Sequence, residues 1–393
     1  MKNRIRVVIK DNFSLIVVIF VFLCSYLYKL TDFPYKQLTL SSHTFPNYSY
    51  FSNIWSNGYL IFYKLLLYFI RNVHLFSSVL ILRLPAVIVA FCIVVISYFV
   101  IKKWHSEYLA LMGSLLLLSW PLLLHLGRYQ SSLVIYLLLI PSIYLIRIMS
   151  GSAIKDSRLY ISLFLQSLII LIPGGIWFAF LSIYFNRKNL LTLFKNKVNL
   201  VKVILTLVSS LYWLPFIVNN MLLGRQQILY FFGLNNFRLN SLELLSTYFN
   251  PIKELFISGI NNQSIWLPGI AIFNGFLITF FILGLIFYIR NFDANRSKLI
   301  IFSLVIAYIL TIFNPNMLLV LSSAIFFISI FGVHSFISLW IKKFPINNIA
   351  RTFAYSLVSL LILVSIFYNY RSYFIAWKYN QSTISSFDLL SNN

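Results

Sequence analysis

Eight carboxylates, Asp11, Asp32, Glu107, Asp156, Glu243, Glu254, Asp293 and Asp388, are all that this 393-residue chain has for acid–base work or cation binding. Asp11, Glu107, Asp156 and Asp293 stand in short turns beside lysines and arginines, where balancing charge is their simplest role. Asp32, Glu243, Glu254 and Asp388 are left for chemistry. Asp32 opens the segment TDFPYKQLTLSSHTFPNYSYFSNIWSNG, which also carries His43. A carboxylate there either accepts a proton from an incoming hydroxyl or amine, or holds a divalent cation. As the Asp of T-D-F-P it equally suits a turn. His43 has a side chain that titrates near neutrality, so it is a second candidate base, or else plain loop surface.

The basic residues form a larger set. Lys64, Arg71, Arg83, Arg128, Arg225 and Arg238 are expected on the same side of a membrane, close to its surface. Arginine grips phosphate bidentately and lysine meets it as a point charge. Arg83 in ILRLPAV and Arg128 in LLHLGRYQSS interrupt apolar text, where a charge without a counterpart is expensive. A lipid phosphate or pyrophosphate is the expected counterpart, and snorkelling to ordinary headgroups is the alternative. His125 precedes Arg128 by three residues and so shares a helical face with it, with Tyr129 beside them. Lys64, Arg83, His125, Arg128, Tyr129 and Arg225 are therefore the expected substrate-binding set. No zinc site and no disulfide framework is expected, since Cys24 and Cys92 both sit in apolar runs without Cys/His spacing, and a divalent cation is the one cofactor left open. Walker, GxGxxG, GxSxG and HExxH motifs do not occur, so nucleotide-driven and ordinary hydrolase chemistry have no support.

The elements that must position these residues are membrane helices. Hydrophobic side chains make up 60% of the chain and charged ones 10%, with a mean hydropathy of +0.86. A soluble domain with about 25% charged residues has no counterpart to this balance. Apolar runs predict an all-α polytopic membrane protein, one domain over 1–393. Its spans are expected at about 13–30, 78–101, 107–126, 130–148, 158–172, 174–186, 198–219, 264–289, 298–313, 317–341 and 351–369. The count of eleven depends on LIPGGIW breaking the 158–186 stretch at Pro173–Gly175. The first run lacks a small-residue cleavage site, so an uncleaved first helix is expected.

With the N-terminus in the cytoplasm of a bacterial plasma membrane, the short inside segments hold 20 of the 31 basic residues. That satisfies the positive-inside rule and makes anionic headgroups, not nucleic acid, the partner of the +23 net charge. Three outer segments exceed a turn, namely 31–77, 220–263 and 370–393. The first holds YLIFYKLLLYFIR (59–71), which is too short to span and suits an interfacial helix. The second holds 242–256, a further such helix expected to be interrupted at Pro251. No membrane-core segment contains a carboxylate, Glu107 standing at the very start of its span, which argues against proton-coupled transporters and ion pumps.

The order of these features, with R-L-P (Arg83, Leu84, Pro85), the basic turn KKWHSE and the S-x-P…R pattern of Ser119, Pro121 and Arg128, resembles the GT-C superfamily of membrane glycosyltransferases. It is similar to the branch of protein O-mannosyltransferases and lipid A aminoarabinose transferases, over about residues 13–186. The closing FPINNIARTFAY and YRSYFIAW are similar to bacterial members. The resemblance implies transfer of a sugar from a polyprenyl-phosphate carrier to a glycan, lipid or protein acceptor on the outer face. It implies a carboxylate in the first outer loop as base or metal ligand, and cations around the lipid phosphate, here Lys64, Arg83, Arg128 and Arg225. The chain departs from the family where an Asp-Glu pair usually stands. LTLSSHTFPN puts His43 or Thr44 there, Asp32 lies earlier, and SNGYLIFYK replaces the HPP-like motif.

Three readings follow. In the first the chain is a transferase with Asp32 as base and His43 in reserve, or with Glu243 in that role. In the second it binds the carrier lipid without turning it over. In the third it is a flippase or polymerase, for which internal two-fold symmetry or a late large loop is expected. Neither is seen in the text.

Overall fold

The computed structural model describes residues 2–30, 61–72, 78–129, 131–151, 156–194, 225–234, 248–260, 266–267 and 269–384. The described residues are helical, without a strand. The helices are α1 (Lys2–Leu27), α2 (Ile61–Asn72), α3 (Ser78–Trp104), α4 (Glu107–Ser119), α5 (Pro121–Arg128), α6 (Val134–Gly151), α7 (Asp156–Ile170) and α8 (Gly175–Phe194). They continue as α9 (Arg225–Phe231), α10 (Gly275–Arg290), α11 (Asn295–Phe313), α12 (Met317–Lys343) and α13 (Asn348–Arg371), the last extended by a π-helical turn, Ser372–Trp377.

Among the described residues, four helices are long and apolar enough to cross a membrane, five if the bent pair α4 and α5 is one span. The chain is thus an all-α protein of membrane type, and the expected count of eleven goes beyond what these helices show. The span expected at 198–219 lies outside the described residues.

Two expected spans need correction. The stretch 107–126 is not one helix: it bends by 59° between α4 and α5. Pro121 is the cause, because it disfavours helical geometry at the residue before it, and Trp120 sits at φ −60°, ψ 120°. Pro121 then starts α5 at the position where its missing N–H costs nothing. The stretch 264–289 is helical only from Gly275, where Asn274 caps Leu277 N–H at 3.0 Å. Residues before it form an irregular segment tied down by side chains. Trp266 Nε1 donates to Ile270 O at 2.7 Å and Trp120 Nε1 to Ile272 O at 3.4 Å. Pro251 lies within helical residues 248–253 and does not interrupt them.

The break expected at Pro173 is present. Gly174 takes φ +76°, and its N–H donates to Phe231 O at 2.9 Å, so the break docks on the end of α9. α7 and α8 both pack on α6. Glu107 balances Lys102 as expected, in an ion pair of 3.2 Å.

The centre of the bundle is α12, which packs against α4, α6, α10, α11 and α13 and is buried along most of its length. Small residues bring it onto α10. A Cβ on Gly284 would lie 2.2 Å from Ile328 O, and one on Gly332 would lie 1.9 Å from Phe280 O. Without a hydrophobic driving force between helices in lipid, such backbone approach and interhelical hydrogen bonds hold the pair. Ser329 Oγ donates to Leu277 O at 2.9 Å across the same contact. Gly332→Leu is therefore expected to separate α10 from α12 and abolish the monodisperse folded protein in detergent. Gly275→Ala, whose added Cβ meets nothing within 4 Å, should leave that peak intact.

Candidate functional site

α1 ends in a left-handed turn. Leu30 N–H bonds Leu27 O at 3.2 Å, and Lys29 takes φ +46°, a conformation that costs a non-glycine residue about 1 kcal/mol or more. The last carbonyls of a helix lack intrahelical donors and carry its negative dipole end. Here two arginines supply the donors. Arg128 bonds Ser25 O through Nη1 and Tyr28 O through Nη2, the latter at 2.6 Å. Arg83 Nη1 donates to Leu30 O at 2.5 Å. Both guanidiniums are buried, at 0% and 1% exposure.

The positions follow from local sequence. The bend at Trp120–Pro121 carries α5 to the end of α1. Gly127 allows the approach, since a Cβ there would stand 2.8 Å from both Ala90 and Tyr26. Arg128 then lies under Phe374 (5.0 Å) and Tyr373 (5.7 Å) of the π-helical turn. Ser25 Oγ and Tyr370 OH, 2.6 Å apart, tie α1 to α13.

His125 shares Tyr373 with Arg128, as their spacing predicts. Its ring is caged by Trp377 at 4.4 Å, Tyr373 at 4.7 Å and Trp266 at 5.4 Å. Its Nδ1 is buried without a hydrogen-bond partner among the described residues. Tyr129 ends α5 within electrostatic reach of Arg83. Lys64 stands on α2, which forms where an interfacial helix is expected and packs on α3, the helix of Arg83. Burial of Lys64 lowers its ammonium from the ordinary 10.5 to about 8.

The structure thus brings Arg83, His125, Arg128 and Tyr129 to one place and puts Lys64 on the adjoining helix. The contacts described are α1 carbonyls for both arginines and the rings of Tyr373 and Phe374 for Arg128; a helix C-terminus presents concentrated negative partial charge to them. Asp32, His43 and Glu243 lie outside the described residues, as does the side chain of Arg225. Tyr26, Trp266, Tyr373, Phe374 and Trp377 belong to the site and were not singled out from sequence. The aromatic spacing in YRSYFIAW was the available signal.

A second polar cluster occupies the opposite end of α3. Arg296 stacks on Trp104 (4.6 Å), donates to Trp104 O at 3.0 Å and bonds His105 Nε2. His105 is consequently an acceptor and neutral. Burial, then Arg296, then His334 push it from 6.5 down to about 2. Between those two values the unfolded chain binds a proton that the folded one refuses, so stability rises with pH there and is level above 6.5. His105→Gln, which keeps an acceptor, should flatten that acid limb in melting curves taken from pH 4 to 8.

Comparison of the chain with protein-family models finds no match, and comparison with curated proteins finds none.

Proposed function

We propose that the chain is a membrane glycosyltransferase of GT-C type that takes a sugar from a polyprenyl-phosphate carrier on the outer face of the plasma membrane. The observation that carries this reading is the convergence of Arg83 and Arg128 on the end of α1, from which the segment with Asp32 and His43 departs. Two full positive charges meet a helix dipole end worth about half a charge, so a positive field remains at the root of that segment. An anionic lipid head is what such a field attracts.

In this reading Arg83 and Arg128 fix the root of the loop and supply the field. Lys64 and Arg225 approach the carrier phosphate. Asp32 takes the proton of the acceptor hydroxyl as it attacks the sugar's anomeric carbon, and the bond to the carrier phosphate breaks with its electrons staying on phosphate. His43 is the reserve base. The acceptor is a glycan, lipid or protein of the envelope, and the N-terminus is cytoplasmic. The donors described at the site are guanidinium, ammonium, imidazole, indole and phenol groups. These do not make an oxygen-ligand set for a hard cation, so no step is routed through one.

A second reading has a specific observation in its favour. LTLSSHTFPN lacks the acid pair that the GT-C resemblance implies, which suits a protein that binds the carrier without turnover.

Both readings place Lys64 against an anion, and its lowered ammonium tests that. Charged below about 8 and neutral above, Lys64 should weaken binding of polyprenyl phosphate several-fold between pH 7 and pH 9.5. Lys64→Met should bind weakly and without that dependence. A wild-type affinity level across this range would remove Lys64 from the site. Transferase and binder are then separated by release of labelled sugar from the loaded carrier.

A further inference from the structure

A groove of about 580 Å³ opens between α13 and the irregular segment that precedes α10. One wall is Trp266 with the backbone-rich run from Gly269 to Phe276. The other is a polar line, Ser365 and Asn369 on α13 and Ser372 at the start of the π-helical turn. α13 is otherwise turned outward: Leu360, Leu363, Val364 and Phe367 are each more than half exposed. Ser365 and Asn369 are the reverse, at 5% and 3% exposure, so the polar groups form the floor of a cleft in an apolar surface. Asn369 Nδ2 donates to Ser119 Oγ at 3.4 Å, which fixes the carboxamide. The Ser365 hydroxyl lines the groove beside it.

Non-helical backbone at membrane depth is tolerated where it is buried in protein or lines a cavity. Residues 269–274 stand where an unbroken span was expected, and they line this one. The lining contains hydroxyls, carboxamides and peptide groups beside Phe273, Phe276 and Val364, and no charged side chain. A charged lipid head would lose its hydration there without a counter-ion. A neutral head would find donors and acceptors at the floor and an apolar wall for its chain.

We infer that this groove binds a membrane lipid with an uncharged, hydroxyl-bearing head, such as a glycosyl diacylglycerol. The site is separate in chemistry from the cationic cluster and does not depend on sugar transfer. Its commonest competitor is ordinary annular lipid.

The test is photolabelling of the purified full chain in phosphatidylcholine vesicles. One arm contains photoactivatable glucosyl diacylglycerol and the other photoactivatable phosphatidylglycerol with the same chains. The neutral probe should label peptides containing 269–276 and 364–372 about ten-fold more than the anionic one. Ser365→Leu, which replaces a hydroxyl of the floor by an apolar side chain, should reduce neutral labelling to the anionic level. Asn369→Leu should do the same, with melting curves for both variants confirming the fold. Equal labelling by both probes, or neutral labelling unchanged in folded Ser365→Leu, would overturn the inference.

Discussion

Arg128→Leu is expected to destabilise the protein by about 3–5 kcal/mol. Arg128 makes two charge-assisted bonds to the end of α1, each worth roughly 1.5–3 kcal/mol, and both are part-buried, so the carbonyls left behind regain some hydration. Loss of the ring contacts to Tyr373 and Phe374 adds about 0.5–2 kcal/mol. Removing a buried charge offsets part of this sum, which holds the expected total below it. Arg128→Lys keeps the charge but not the fork that reaches Ser25 and Tyr28 together, so it should recover less than half of the loss. Arg83→Leu, with one such bond described, to Leu30, should cost less than Arg128→Leu. Reversible unfolding in mixed micelles measures all three. A loss under about 1 kcal/mol for Arg128→Leu would mean that the arginine does not hold α1, and that its contact with the helix end is incidental.

Asp32→Asn is expected to lower sugar transfer by about 10²–10⁴, the usual contribution of a positioned general base. Carrier-lipid affinity should change by less than about three-fold, since the attraction assigned to Lys64, Arg83 and Arg128 is untouched. His43→Ala should lower transfer much less, and Glu243→Gln not at all. The opposite order would move the base to His43 or Glu243 and leave Asp32 as the turn residue of T-D-F-P. A uniform fall in affinity and transfer for Asp32→Asn would mean that the residue shapes the loop instead of taking the proton. Transfer rates with a soluble hydroxyl acceptor, read beside carrier binding, separate these outcomes.

The helices themselves were legible because a membrane demands long apolar runs, and those of α3, α11, α12 and α13 leave little ambiguity. The break at Pro173–Gly175 was legible from residue type, and so was the short helix α2. The bend after Ser119 was present in the text as Trp120–Pro121. It was passed over because the apolar run continues across it, and hydropathy does not register backbone angle. The irregular segment before α10 is hidden for the same reason: its Trp, Leu, Ile and Phe residues score as a span, while two of its carbonyls, Ile270 and Ile272, bond Trp side chains and the Phe273 N–H bonds Leu255 O. Arg83, His125, Arg128 and Tyr129 stood out as polar interruptions of apolar text. Their aromatic surroundings did not, since Tyr373 and Trp377 come from the far end of the chain in a composition where aromatics are common. The partners of the arginines were also beyond the sequence, because backbone carbonyls carry no residue signature.

Turnover by the wild-type chain tests the central claim most directly. Purified protein in bilayers would be given polyprenyl-phosphate carriers loaded with different labelled sugars, and free or transferred label would be followed against protein-free vesicles. The account predicts enzyme-dependent release for at least one sugar, lost in Asp32→Asn. No release from any loaded carrier, with polyprenyl phosphate bound and binding weakened by Lys64→Met, would contradict it and make the chain a carrier-lipid-binding protein.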